Sequence, residues 1–166
     1  AFNANLWDEA AGAYFGGIEN GAKVPPTAHA ALTALYFDVV PADRIERVRQ
    51  WLLAHHEQDG ISSYIHMLFL KVLYDMNTDA ADQLALDLMR QRWRAMAEGE
   101  SKTAWENFGP GEYCHDMGAA PTYFLSRYVL GVRFDGPVSQ QCILIQPRLG
   151  DLAQASGIVV TEFGPV

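Results

Sequence analysis

Lysine is scarce in this sequence. Lys23, Lys71 and Lys102 are the whole complement, and 12 Lys and Arg stand against 20 Asp and Glu, for a formal charge of −8. A protein that tracks a phosphate backbone needs a basic face to release counterions, so DNA and RNA are not expected as partners. Long apolar runs are missing too. Stretches such as Met67 to Leu70 fall far short of the roughly 20 residues of a spanning helix, and no membrane partner is expected. The only cysteines, Cys114 and Cys142, show neither zinc-knuckle spacing nor a disulfide framework, so they imply no metal or redox compartment, and no cofactor is expected. The sequence opens Ala-Phe-Asn-Ala-Asn-Leu-Trp, with no initiator Met and no signal-peptide series. It reads as the interior of something longer.

What is present suits one domain. The chain has 166 residues, 49% of them hydrophobic, and at that length roughly 70% of the unfolded surface is buried on folding. Leu6 and Trp7 read as the end of a helix, and Gly12 with Gly16-Gly17 as a loop. Pro25-Pro26-Thr27 leads into Ala28, Ala31, Leu32, Leu35, Tyr36 and Val39, the stripe of one helical face, which Pro41 ends. From Ala42 to His55 a second helix turns Ile45, Val48 and Leu52 one way. Ser62-Ser63 cap a third, with Ile65, Leu68, Phe69, Val72, Leu73 and Met76 on its stripe. A fourth runs from Thr78 to Met96, and a fifth starts at Pro121 and stops at Gly131. Short connections favour antiparallel hairpins. After Gly136-Pro137 the period changes to that of strands, at Cys142 to Gln146 and Ile158 to Thr161. Two strands need further partners to be stable.

Reactive groups concentrate between Glu98 and Asp116, in the loop that joins the fourth and fifth helices. Loops on a rigid scaffold are where catalytic groups usually sit. In Trp105-Glu106 an aromatic wall for a sugar ring stands beside a carboxylate that could exchange a proton with water or a leaving oxygen. The plain alternative is a packed Trp beside a solvated Glu. His115, nine residues beyond Glu106, could donate to a substrate hydroxyl, or hydrogen-bond within its loop. Adjacent Cys114 and His115 project differently, which disfavours a thiol nucleophile activated by that histidine. A metal site from Glu112, His115 and Asp116 is conceivable but lacks an i, i+4 histidine pair. His55-His56 suit a helix C-terminus, His66 a structural place, and His29 could face the same mouth as Glu106.

Taken as a set, several segments resemble the last part of bacterial α-L-rhamnosidases of the inverting type. They are Arg92-Trp93-Arg94-Ala95-Met96, Thr103-Ala104-Trp105-Glu106-Asn107-Phe108, Cys114-His115, Ala119 to Ser126 and Val129 to Val132. Leu6-Trp7-Asp8-Glu9 with Gly12 and Tyr14, and Thr27 to Leu32, look like the preceding hairpins of that family. Ile143 to Pro147 and Ala155-Ser156-Gly157 resemble the opening of its C-terminal β-sandwich.

The resemblance implies a mainly α fold. Residues 1–132 would form the C-terminal half of an (α/α)6 toroid of antiparallel helical hairpins, and 133–166 the start of a β-domain. It implies Glu106 as the general base, with His115 and Trp105 binding a rhamnose-containing glycoside. The family's general acid lies in an acidic segment upstream that these residues do not contain. The expectation is therefore a fragment, inactive without the remainder of its parent polypeptide and prone to self-association through uncovered apolar faces. The alternative is a non-catalytic helical module that binds carbohydrate or a partner. The compartment stays open between bacterial cytoplasm, periplasm and secretion.

Overall fold

Asn20 and Gly21 take positive φ, 49° and 81°, in the computed structural model of the chain, the backbone that a type I′ hairpin turn requires. They join β2 (Ala13–Glu19) to β3 (Ala22–Pro26), with Glu19 opposite Ala22 and Ile18 opposite Lys23. On the other edge of β2, β1 (Trp7–Asp8) places Trp7 opposite Tyr14, so the antiparallel sheet runs β1-β2-β3. Gly16 is not a turn residue. A Cβ there would lie 2.9 Å from Thr27 Cγ2, so glycine lets the end of β3 pass close by. The structure describes residues 1–57, 60–109, 111, 113–134 and 142–166, which divide into two compact units, Ala1–Val72 and Leu73–Val166.

In the first unit a short α1 (Phe2–Asn5) precedes the sheet, and α2 (Ala28–Tyr36) and α3 (Ile45–His55) follow it. The Thr27 hydroxyl caps α2 by accepting from the Ala30 amide at 3.2 Å, meeting one of the helix's orphan donors. Tyr14, Leu32, Val48, Leu52 and Phe69 are fully buried, each worth roughly 1.5–3 kcal/mol of apolar transfer for an aliphatic or Phe side chain. The boundary between the units falls inside α4 (Ile65–Met76).

The second unit holds α5 (Asp79–Glu98), capped by Thr78 through the Ala81 amide at 3.3 Å. After the loop come a 3₁₀ turn, Asp116–Gly118, and α6 (Ala120–Phe124), which continues as a π-type turn through Leu125–Val129. Two small antiparallel sheets close the chain: β4 (Val132–Phe134) with β5 (Ile143–Ile145), and β6 (Val160–Thr161) with β7 (Gly164–Pro165). The change of period expected at Gly136-Pro137 lies outside the described residues.

Two departures from the sequence reading follow. Leu6 does end a helix, as the C-cap of α1, but Trp7 opens β1 and the expected glycine loop lies in a three-stranded sheet, because Gly16 and Gly17 lie within strand β2 and the true turn is Asn20-Gly21. The expected mainly α fold, with antiparallel helical hairpins forming part of an (α/α)6 toroid, is also corrected. The architecture is mixed, 45% helical and 17% strand, and no toroid of helical hairpins is evident among the described residues. Trp7, Asp8 and Tyr14, taken for part of a helical hairpin, lie in strands β1 and β2, and α1 has only 4 residues, too short for a helical arm.

The second unit is anchored by aromatic stacking and by the Arg148–Asp82 ion pair. The Tyr74 ring stacks on Tyr128 with centroids 4.1 Å apart and rings 6° from parallel. Arg148 reaches back from the segment after β5, donating through Nε to Asp82 Oδ2 at 2.6 Å and through Nη1 to the Tyr74 carbonyl at 2.8 Å. Its Nη2 completes a bidentate pair with Asp82.

Burial pushes the Tyr74 phenol up to about 12, with the nearby Asp82 carboxylate adding to the effect. Its hydroxyl is buried without a hydrogen-bond partner among the described residues. The unfolded chain releases that proton near pH 10, before the folded chain does. Stability from this residue is therefore fully present below about pH 10 and lost as pH rises to about 12, by roughly 2 kcal/mol. Tyr74→Phe should remove that alkaline loss from urea-unfolding curves and leave neutral-pH stability unchanged or raised, because an unmet buried hydroxyl is deleted.

Candidate functional site in the loop after α5

Helix α5 ends at Gly99, whose amide donates to the Ala95 carbonyl at 2.9 Å. A Cβ on Gly99 would stand 2.6 Å from that oxygen and 3.5 Å from the Trp105 ring, so glycine lets the chain double back beneath the tryptophan. Trp105 is buried, its indole N–H donating to Ser101 Oγ at 3.2 Å. An antiparallel bridge pairs it with Tyr113, and the His115 amide donates to the Ala104 carbonyl at 2.9 Å. Cys114 takes a left-handed φ of 67° to complete the return. A second tie comes from Trp93, whose indole donates to the Gly118 carbonyl at 2.6 Å.

This closure brings Glu106 and His115 together. His115 Nε2 lies 3.4 Å from Glu106 Oε2, and each side chain is about one third exposed, 34% and 35%. His115 Nδ1 and Thr103 Oγ1 are buried without hydrogen-bond partners among the described residues. The pair can hold a carboxylate in one orientation at a partly desolvated surface, which is what proton abstraction from a bound water requires. Trp105 itself is turned inward at 8% exposure, while Tyr113, packed edge-on against it at 5.2 Å between centroids, is 46% exposed.

The other sequence candidates belong to other elements. His29 sits exposed on α2 in the first unit. His55 and His56 donate through Nδ1 to the Trp51 and Leu53 carbonyls at 2.7 and 2.9 Å, a local role at a helix end. His66 is buried, with Nδ1 donating to the Ser62 carbonyl at 3.0 Å. Asp116 Oδ1 accepts from the Met117 amide at 2.9 Å, while Glu112 lies outside the described residues. Among the described residues no group of three His, Cys, Asp or Glu side chains is placed to hold a metal ion.

Cys114 and Cys142 are unbonded and exposed. Titration of the native protein with a thiol reagent should therefore count two thiols without denaturant. A count of none would contradict this.

Sequence reasoning missed a polar cleft of about 1050 Å³, whose lining includes Asp82, Arg127, Arg133 and Arg148 and excludes Glu106, His115 and Trp105. Asp82 and Arg148 are 66 residues apart, and no local pattern could have joined them. No protein-family profile matches the sequence, and no curated protein matches it.

Proposed function

We propose that the loop from Gly99 to Gly118 carries the water-activating half of a glycoside hydrolase acting on terminal α-L-rhamnosides, with Glu106 as general base. The single observation that supports it is the 3.4 Å approach of His115 Nε2 to the Glu106 carboxylate, within the segment whose residues resemble that family. The reading takes over the chemistry of the resemblance and not the toroid, which is not evident among the described residues.

In this reading the Glu106 carboxylate accepts a proton from water as the oxygen attacks the anomeric carbon, and the glycosidic bond breaks on the opposite face. His115 stands with Nε2 at 3.4 Å from the carboxylate and orients it, and because Nδ1 is buried a sugar hydroxyl meets the ring at that same Nε2 edge. The buried Trp105 holds the loop, and the exposed Tyr113 ring beside it forms the apolar wall. Inversion needs a second carboxyl about 6.5–9.5 Å from the base to protonate the leaving oxygen. The resemblance puts that acid upstream of Glu106, in a segment these residues do not contain, so in this reading turnover is expected of a longer polypeptide that supplies the acid along with these residues.

The test is hydrolysis of an aryl α-L-rhamnoside by that longer polypeptide, followed by proton NMR. The proposal expects the β anomer of rhamnose as first product, because displacement by water inverts the centre. Release of the α anomer first, or no rhamnoside hydrolysis, would contradict it.

A further inference from the structure

Two arginines of the second unit, Arg127 and Arg133, differ from Arg90, Arg94 and Arg148. Arg90 pairs with Asp87 and Asp151, Arg94 with Glu98 and Arg148 with Asp82. Arg127 and Arg133 have no carboxylate partner among the described residues, in a chain whose acids outnumber its bases 20 to 12. Arg133 donates to Gln146 Oε1 at 2.6 Å. Arg127 lies over the Tyr123 and Tyr128 rings at 5.8 Å from each, and its Nε is buried with no acceptor among the described residues. A buried guanidinium N–H left unmet costs more than an ordinary lost hydrogen bond.

Both arginines line two cavities at once. One is the polar cleft of about 1050 Å³. The other holds about 310 Å³ and is walled by Val132, Ile143, Val159 and Val160. Two guanidinium groups without acidic partners among the described residues therefore border both a polar space and an apolar one. That arrangement calls for an anion with an apolar body: the charge meets the arginine forks, and the body fills a space large enough for a single ring. The cleft also contains Asp75 and Asp79, whose repulsion grows with ligand charge, so a singly charged carboxylate is favoured over a phosphate dianion.

We propose that Arg127 and Arg133 form a binding site for a small carboxylate carrying an aromatic or short aliphatic body, separate from the Glu106 loop. Such a ligand places its oxygens against the two guanidinium groups and its body between β4, β5 and β6. Because the site shares no residue with the proposed hydrolytic pair, it stands or falls independently of that function.

The experiment is an NMR titration of the nitrogen-15-labelled 166-residue chain with trans-cinnamate, neutral cinnamamide and inorganic phosphate, read at the arginine Nε–H signals. Cinnamate should shift the Arg127 and Arg133 signals saturably, and cinnamamide should bind about tenfold more weakly or worse, as expected when a charge-assisted hydrogen bond is lost. Phosphate should bind more weakly than cinnamate. Arg133→Gln and Arg127→Lys should each weaken cinnamate by about tenfold or more while the thermal midpoint holds, the lysine variant keeping charge but losing the fork. No saturable shift, equal binding of acid and amide, phosphate binding as tight as cinnamate, or affinity insensitive to both substitutions would overturn the proposal.

Discussion

Replacing Glu106 by glutamine should lower rhamnoside turnover by the full-length polypeptide about 10²- to 10⁴-fold, the contribution of a positioned general base. Glutamine keeps the size of the side chain and can still accept from His115 Nε2, which lies 3.4 Å from the carboxylate. It cannot take a proton from water. Sugar affinity should survive, so the loss falls on kcat and leaves KM close to its original value. His115→Ala should show the opposite emphasis, raising KM more than it lowers kcat, because a hydroxyl contact made in both ground and transition states is uniform binding. Some loss in kcat should accompany it, since the histidine also orients the carboxylate. Near-normal turnover by Glu106→Gln would remove the assigned role, whatever the behaviour of His115→Ala.

The second large effect concerns stability. Removing either partner of the Asp82 and Arg148 pair should cost about 3–5 kcal/mol, the usual penalty for stranding one buried charge. The side chains are only 10% and 15% exposed, so water replaces little of what is lost. Arg148 additionally donates to the Tyr74 carbonyl at 2.8 Å, its backbone amide donates to the Tyr128 carbonyl at 2.9 Å, and its guanidinium lies over the Tyr74 ring at 5.0 Å. Arg148→Ala therefore loses packing together with charge. A domain of ordinary stability has about 5–15 kcal/mol in all, so either variant should shift the urea midpoint far. The double variant with apolar residues of matching volume should recover much of the loss, because no unpaired charge remains. A cost below about 1 kcal/mol for both single variants would show the pair to be a solvated surface contact.

The parts of this architecture readable from sequence are those with a local cause. Thr27 and Thr78 stand where the sequence pattern starts helices, and both hydroxyls accept amides of the first turn. The apolar stripes of α3, α4 and α5 follow the helical period, and the strands near Ile143 and Val160 follow the period of two. The N-terminal sheet escaped because β2 does not alternate cleanly. Ala13 and Tyr14 are both buried, and two glycines follow, so the glycines outweighed Asn20-Gly21, the stronger hairpin signal. Strand partners β4 and β7 were also missed, since strands of 3 and 2 residues carry almost no pattern.

The site divides the same way. Glu106 and His115 stand out by residue type, but their approach depends on the bridge between Trp105 and Tyr113. Nothing in the spacing specifies that bridge. Asp82 lies in the first turn of α5 and Arg148 just after Pro147, and neither stands out by residue type or spacing. Only tertiary structure turns them into a buried pair.

The central claim is that the Trp105 to His115 loop binds an L-rhamnosyl unit at the Glu106 and His115 pair. Its most direct measurement is an NMR titration of the 166-residue chain with L-rhamnose, with D-glucose as control, followed at the Tyr113 ring, the His115 ring nitrogens and the loop amides. The account predicts saturable shifts with L-rhamnose confined to these groups, much weaker effects with D-glucose, and loss of the response in His115→Ala. Shifts that are absent, equal for both sugars or unaffected by that substitution would contradict it.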